Sequence, residues 1–136
     1  MDLKFAHIVL NVTNIKRSRL FYETILQGFN VVDQSEHHAG FSNGKFSVWI
    51  ADEDMKRNPY VGTATDKAVG FHHFAWKVET MEELKEWEAY LSENKIEMSK
   101  GGITDDDFGG QGIFFRDPDN IRLEIHLGWQ TRKFVV

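Results

Sequence analysis

Three residues set the chemical question: His7 in the stretch FAHIVLNV, His73 in GFHHFAWKV and Glu124 in NIRLEIHLG. Two neutral imidazoles and a carboxylate are a recurrent ligand set for Fe(II), Mn, Ni or Zn. Three protein ligands leave positions for water and substrate, as a catalytic metal requires. Taken singly, either histidine reads equally well as a satisfied core histidine, and Glu124 as an edge carboxylate. What sets the three apart is their matched placement in two similar halves of the chain.

The elements that must position them follow from local pattern. Residues 5–12 read as a buried strand. Asn14 can cap a helix from about Lys16, with Leu20, Phe21, Ile25 and Leu26 on its apolar side and Gly28 ending it. FNVVDQS is a second strand. HAGFSNGKFSVWIAD is a hairpin, because Asn43-Gly44 suits the left-handed positions of a tight type I′ turn. Residues 52–70 are polar and read as a linker or a loop over a site. Then the order repeats. FHHFAWKV is a strand, and Thr80 with Glu83 forms a capping box. The helix that follows has Met81, Leu84, Trp87 and Leu91 as its apolar stripe. KIEMS is a strand, KGGITDDDFGGQG a glycine-rich acidic loop, and IFFRDPDNIRLEIHLG a final hairpin. Laid over each other, the halves pair His7 with His73 and Trp49 with Glu124.

Side chains alternate along a strand. On the first strand, Ala6, Ile8, Leu10 and Val12 share a face and Phe5, His7, Val9 and Asn11 the other. On its repeat, His72, Phe74, Trp76 and Val78 oppose Phe71, His73, Ala75 and Lys77. On the last strand, Leu123, Ile125 and Leu127 oppose Arg122, Glu124 and His126. One face is apolar and should hold the helices. The other collects His7, His73 and Glu124, which places His72 on the helix side. The architecture expected is α+β: two βαβββ modules, about 4–52 and 70–128, within one domain over residues 1–136.

Composition narrows the function classes. A net charge of −5 argues against nucleic acid. The absence of cysteine excludes disulfides, thiolate nucleophiles and cysteine-bound zinc. The N-terminal stretch lacks the pattern of a signal peptide, and no apolar run reaches membrane-spanning length, so a cytoplasmic protein is expected.

Further residues carry weaker signals. His126, two residues after Glu124, is a candidate acid/base group, as Glu124 itself is, or else a polar group at the rim. Arg122 can hold a substrate carboxylate or form a structural ion pair. Trp49 can stack on a substrate or simply fill the core. His37 and His38 sit beside a hairpin and read as exposed. The run Asp105-Asp106-Asp107 lacks the spacing of a calcium loop and reads as a solvated loop.

HIVLNVTNIKRSRLFYETILQGF, GFHHFAWKV and FFRDPDNIRLEIHLG resemble the vicinal oxygen chelate superfamily over nearly the whole chain. That superfamily includes glyoxalase I, extradiol dioxygenases, fosfomycin-resistance proteins and bleomycin-binding proteins. The resemblance implies paired modules curled into a cupped sheet around one divalent metal (Fe, Mn, Ni or Zn), and a homodimer acting on a small molecule. Carried over, the ligands are His7, His73 and Glu124, with Trp49 at a fourth position where it cannot ligate. Trp49 counts against a strict glyoxalase I. His, His, Glu matches extradiol and fosfomycin-resistance enzymes. The former would carry a Tyr near Phe114, which marks Phe114 as a candidate substrate contact. The latter commonly carry a Thr where this chain has Val9, and the acidic loop is unlike theirs. The implied activity is dioxygenase-like or glyoxalase-like. The alternatives are fosfomycin-resistance-like transfer or hydrolysis, and non-enzymatic binding of the bleomycin type.

Overall fold

A computed structural model describes residues 1–52, 64–65, 67, 70–105 and 110–128. The chain divides into two compact units, residues 1–63 and 64–136. Each contains a four-stranded mixed sheet, and one α-helix among its described residues. The class is α+β, and the order β-α-β-β-β recurs in both units. No helix among the described residues is long and apolar enough to cross a membrane.

In the first unit, β1 (His7–Asn11) is followed by α1 (Ile15–Ile25), β2 (Asn30–Gln34), β3 (His38–Ser42) and β4 (Ser47–Ala51). The sheet order is β1-β4-β3-β2, with β1 parallel to β4 and the other pairs antiparallel. Asn14 caps α1 by accepting the Arg17 backbone N–H at 3.0 Å. The stripe facing the sheet is Ser18, Tyr22 and Ile25. Leu20, expected inside, is 65% exposed. The helix begins one residue earlier than expected, and Tyr22, whose ring is fully buried, supplies the apolar bulk at that level. Val48 and Ile50 on β4 and Ala39 and Phe41 on β3 complete this core.

The hairpin between β3 and β4 forms, but its turn is shifted by one residue. Asn43 N–H donates to Phe46 O, which makes Gly44-Lys45 the central pair. Gly44 alone of the two has a left-handed φ, +86°, whereas a type I′ turn needs one at both central residues. The cause is the Asn43 side chain. Its Oδ1 accepts the N–H groups of both Lys45 and Phe46 at 2.9 Å, anchoring the turn from its first corner.

In the second unit, β5 (Phe74–Val78) leads to α2 (Met81–Glu93), β6 (Thr104–Asp105), β7 (Gln111–Arg116) and β8 (Arg122–Leu127), in sheet order β5-β8-β7-β6. Thr80 Oγ1 accepts the Glu83 N–H at 3.1 Å. The return arm of the box reaches the N–H of Glu79 rather than that of Thr80. Leu84 and Leu91 are fully buried against β5, β7 and β8, worth about 1.5–3 kcal/mol each. KIEMS is not a strand: only Met98 bridges, to Phe115. Left-handed backbone at Lys95 and Lys100 breaks it on both sides. The pairing falls instead to Thr104 and Asp105, in the segment expected to be loop.

The turn from β7 to β8 is organised by Asp117, which is 5% exposed. Its Oδ1 accepts from Asp119 N–H at 2.8 Å and Ile121 N–H at 2.9 Å. Asn120 adopts a left-handed φ of 67° and donates its side-chain amide to Ala64 O. This turn fixes the register that carries Arg122, Glu124 and His126. Asp117→Ala strands two backbone donors and is expected to lower stability by about 1–3 kcal/mol in urea unfolding. Asp117→Asn, which keeps Oδ1, should retain most of it; equal losses in both would assign the role to charge instead.

Candidate functional site

The polar face of the second sheet is set by register. Gly112 lies opposite His126, Phe114 opposite Glu124, and Arg116 opposite Arg122. On the other side of β8, Ala75 lies opposite Glu124 and Lys77 opposite His126. Glu124 is the centre of this face and is 4% exposed. A carboxylate there needs hydrogen-bond donors, because desolvating its charge is costly. It has two: His73 Nε2 lies 3.0 Å from Oε1, and His126 Nδ1 lies 3.1 Å from Oε2. A carboxylate only accepts, so both facing ring nitrogens carry protons in this arrangement.

His73 precedes the first residue of β5 and is held by its neighbours rather than by the ladder. The Phe114 ring meets its imidazole edge-on, with centroids 5.7 Å apart. His72 Nδ1 lies 2.7 Å from His73 Nδ1. The expected helix-side position of His72 does not hold. Strand alternation starts only at Phe74, so His72 is exposed and its ring turns toward His73. Arg122 closes the group. Its guanidinium carbon sits 4.5 Å from the Phe114 ring centroid, and its NH1 lies 3.3 Å from His72 Nε2. A guanidinium over a ring face gains roughly 0.5–2 kcal/mol.

The corresponding face of the first sheet carries His7, Val9 and Asn11 on β1. Ser47, Trp49 and Ala51 lie beside them on β4, then His38, Gly40 and Ser42 on β3. His7 is exposed and lies opposite Ser47. The Trp49 indole lies across Gly40: a Cβ there would come within 2.6 Å of the ring. Trp49 Nε1 donates to Ser47 Oγ at 3.1 Å. His38 belongs to this face too, which the hairpin reading missed. Its Nε2 lies 3.0 Å from Asp33 Oδ2, its Nδ1 2.9 Å from Ser35 Oγ, and its ring 6.4 Å from Trp49. The alternation His38, Gly40, Ser42 would have placed it there. His37, by contrast, pairs with the buried Asp52 at 2.8 Å.

The fold thus brings together His73, Glu124, His126, Phe114 and Arg122 in the second unit, while His7 and Trp49 belong to the first. Among the described residues no three His, Asp or Glu side chains form a metal cage. Asp105 pairs in β6, and Asp106 and Asp107 lie outside the described residues.

Comparison with known proteins adds a family. The family described as Glyoxalase/Bleomycin resistance protein/Dioxygenase superfamily matches residues 4–125. A metallothiol transferase FosB of Staphylococcus haemolyticus is 30% identical over 123 residues, covering 90% of this chain and 81% of that protein. One from Staphylococcus saprophyticus is 29% identical over 125 residues, covering 90% and 75%. Among solved structures, a glyoxalase family protein from Enterococcus faecalis superposes with a TM-score of 0.69 at 27% identity, covering 90% of this chain and 96% of that one. The fosfomycin resistance protein FosX of Listeria monocytogenes gives 0.69 at 21% identity, covering 96% and 97%, a likeness of fold.

Gly40→Ala forces the Trp49 ring off β3. The expected result is a displaced Trp49 indole N–H resonance and a loss of about 1–3 kcal/mol in stability. An unmoved resonance would show that the ring does not rest on Gly40.

Proposed function

The chain belongs to the Glyoxalase/Bleomycin resistance protein/Dioxygenase superfamily, and from that premise we propose a metal-dependent enzyme that transfers a thiol to a small substrate chelated through adjacent oxygens. The observation that carries it is the 3.0 Å separation of His73 Nε2 and Glu124 Oε1. At that spacing on one face of the sheet, His73 and Glu124 would be the side chains that hold a divalent cation. The proton now between them is what a divalent cation would replace, and the N/O donor set suits Fe, Mn, Ni or Zn. His7 is assigned as third ligand on its matched place in the first half.

When bound, the metal supplies Lewis-acid stabilisation of negative charge developing on a substrate oxygen. The chain's own residues do the rest. Phe114 keeps the His73 imidazole aimed at Glu124. Arg122, already poised over Phe114, is suited to an anionic group of the substrate. Trp49 offers an aromatic wall. The nucleophilic sulfur must come from a second substrate, because the chain has no cysteine. A thiolate forms a bond to the electrophilic carbon, the carbon–oxygen bond breaks, and its electron pair stays on oxygen, which then takes a proton.

Transfer is favoured over dioxygenase-like or glyoxalase-like chemistry because the curated relatives, at up to 30% identity, are metallothiol transferases. Val9, exposed on the first face where fosfomycin enzymes commonly carry Thr, leaves fosfomycin itself as the first substrate to test rather than the assumed one.

Elemental analysis of untagged protein should find about one transition metal per chain, lost in His73→Ala and Glu124→Ala. With Mn²⁺, fosfomycin and L-cysteine, mass spectrometry should find the thiol adduct, absent with Glu124→Ala. Metal binding without an adduct would move the chemistry to dioxygenase-like or glyoxalase-like reactions. Failure to bind Mn, Fe(II), Ni or Zn would return the protein to non-enzymatic binding of the bleomycin type.

A further inference from the structure

His126 was read from the sequence as a candidate acid/base group, yet its geometry serves a different end. Its Nδ1 lies 3.1 Å from Glu124 Oε2, the oxygen turned away from His73. Directly opposite His126, as the second residue of β7, stands Gly112. Nothing in the backbone calls for glycine there, since Gly112 has no left-handed φ. What calls for it is space. A Cβ at residue 112 would overlap Glu124 Oε2 and come within 3.1 Å of the Ile125 carbonyl oxygen. One residue of this cross-strand pair vacates a place for Oε2, and the other donates a hydrogen bond into it.

We propose that Gly112 and His126 are positioning residues that together fix Oε2 of Glu124 and so present Oε1 alone to the metal. This rests on the reading of His73 and Glu124 as ligands. The reasoning is steric and electrostatic. A glutamate has three rotatable side-chain bonds and two equivalent oxygens, so unconstrained it can offer either oxygen, or both. Buried at 5% side-chain exposure, Glu124 has its far oxygen held from one side by His126 Nδ1–H and given room on the other by the missing Cβ. The carboxylate then meets the metal through one oxygen in one orientation. His126 itself is only 11% exposed at its side chain, which suits a group that orients more than one that exchanges protons with solvent. Partners of this kind typically change metal affinity 10–100-fold when removed.

The test is a titration of the metal-free protein with Co²⁺, followed by its visible absorption spectrum, with thermal melts confirming that each variant folds. Wild type should bind one Co²⁺ per chain with a saturable spectrum. His126→Ala and Gly112→Ala should each weaken binding about 10–100-fold and shift the band. His126→Asn, whose amide can donate from the place of Nδ1, should recover most of the affinity and the wild-type spectrum. Wild-type affinity and spectrum in His126→Ala or in Gly112→Ala would overturn the proposal. An acid/base role for His126 gives that same unchanged binding together with lost turnover. If wild type binds no Co²⁺, or His73→Ala and Glu124→Ala bind it as wild type does, the ligand assignment fails and takes this inference with it. Binding lost in His73→Ala and Glu124→Ala, weakened in His126→Ala and Gly112→Ala, and recovered in His126→Asn upholds both.

Discussion

A buried carboxylate with a histidine on each of its oxygens organises the second half of this protein. Glu124 sits in the middle of β8, almost wholly removed from water. Desolvating its charge without partners would cost several kcal/mol. The interactions with His73 and His126 offset that cost, and they impose conditions on everything nearby. Gly112 must lack a side chain. Phe114 must meet the His73 imidazole edge-on. The β7–β8 turn must hold its register, which is why Asp117 is buried and doubly engaged with backbone. A slip of one residue would send Glu124 to the helix side of the sheet and Leu123 or Ile125 to the polar side.

The first half repeats the order of elements without repeating this centre. At the position matched to Glu124 stands Trp49, and the glycine beside it, Gly40, clears space for an indole as Gly112 clears space for a carboxylate. The two sheets therefore use one device, a strand glycine under a large neighbour, for different chemistry. One face becomes aromatic, the other ionic.

Much of the fold was legible because it rests on local signals. Asn14 and Thr80 are side chains that cap helices wherever an apolar stripe follows, and both do so. Period-two alternation separated Ile8, Leu10 and Val12 from His7 and Val9, and Leu123 and Ile125 from Glu124, with no knowledge of partners. The departures have a common source in contacts that local pattern does not contain. Tyr22 displaced Leu20 because burial depends on what the sheet presents to the helix. KIEMS gave up its strand to Thr104 and Asp105 because left-handed backbone at Lys95 and Lys100 turned the chain away from β7. His72 left its expected face because β5 begins only at Phe74, three residues after the expected start.

The sequence by itself determined the repeated βαβββ order, the apolar and polar faces of each sheet, and the types of residue able to do chemistry. These follow from the periodicity of helices and strands and from the ionisable groups each residue carries. Only the tertiary structure decided that His73 Nε2 lies 3.0 Å from Glu124 Oε1, that His126 takes the other oxygen, and that Gly112 leaves room for it. Those facts depend on which residues face one another across β7, β8 and the start of β5. Strand register is set by long-range pairing, which a single sequence does not display.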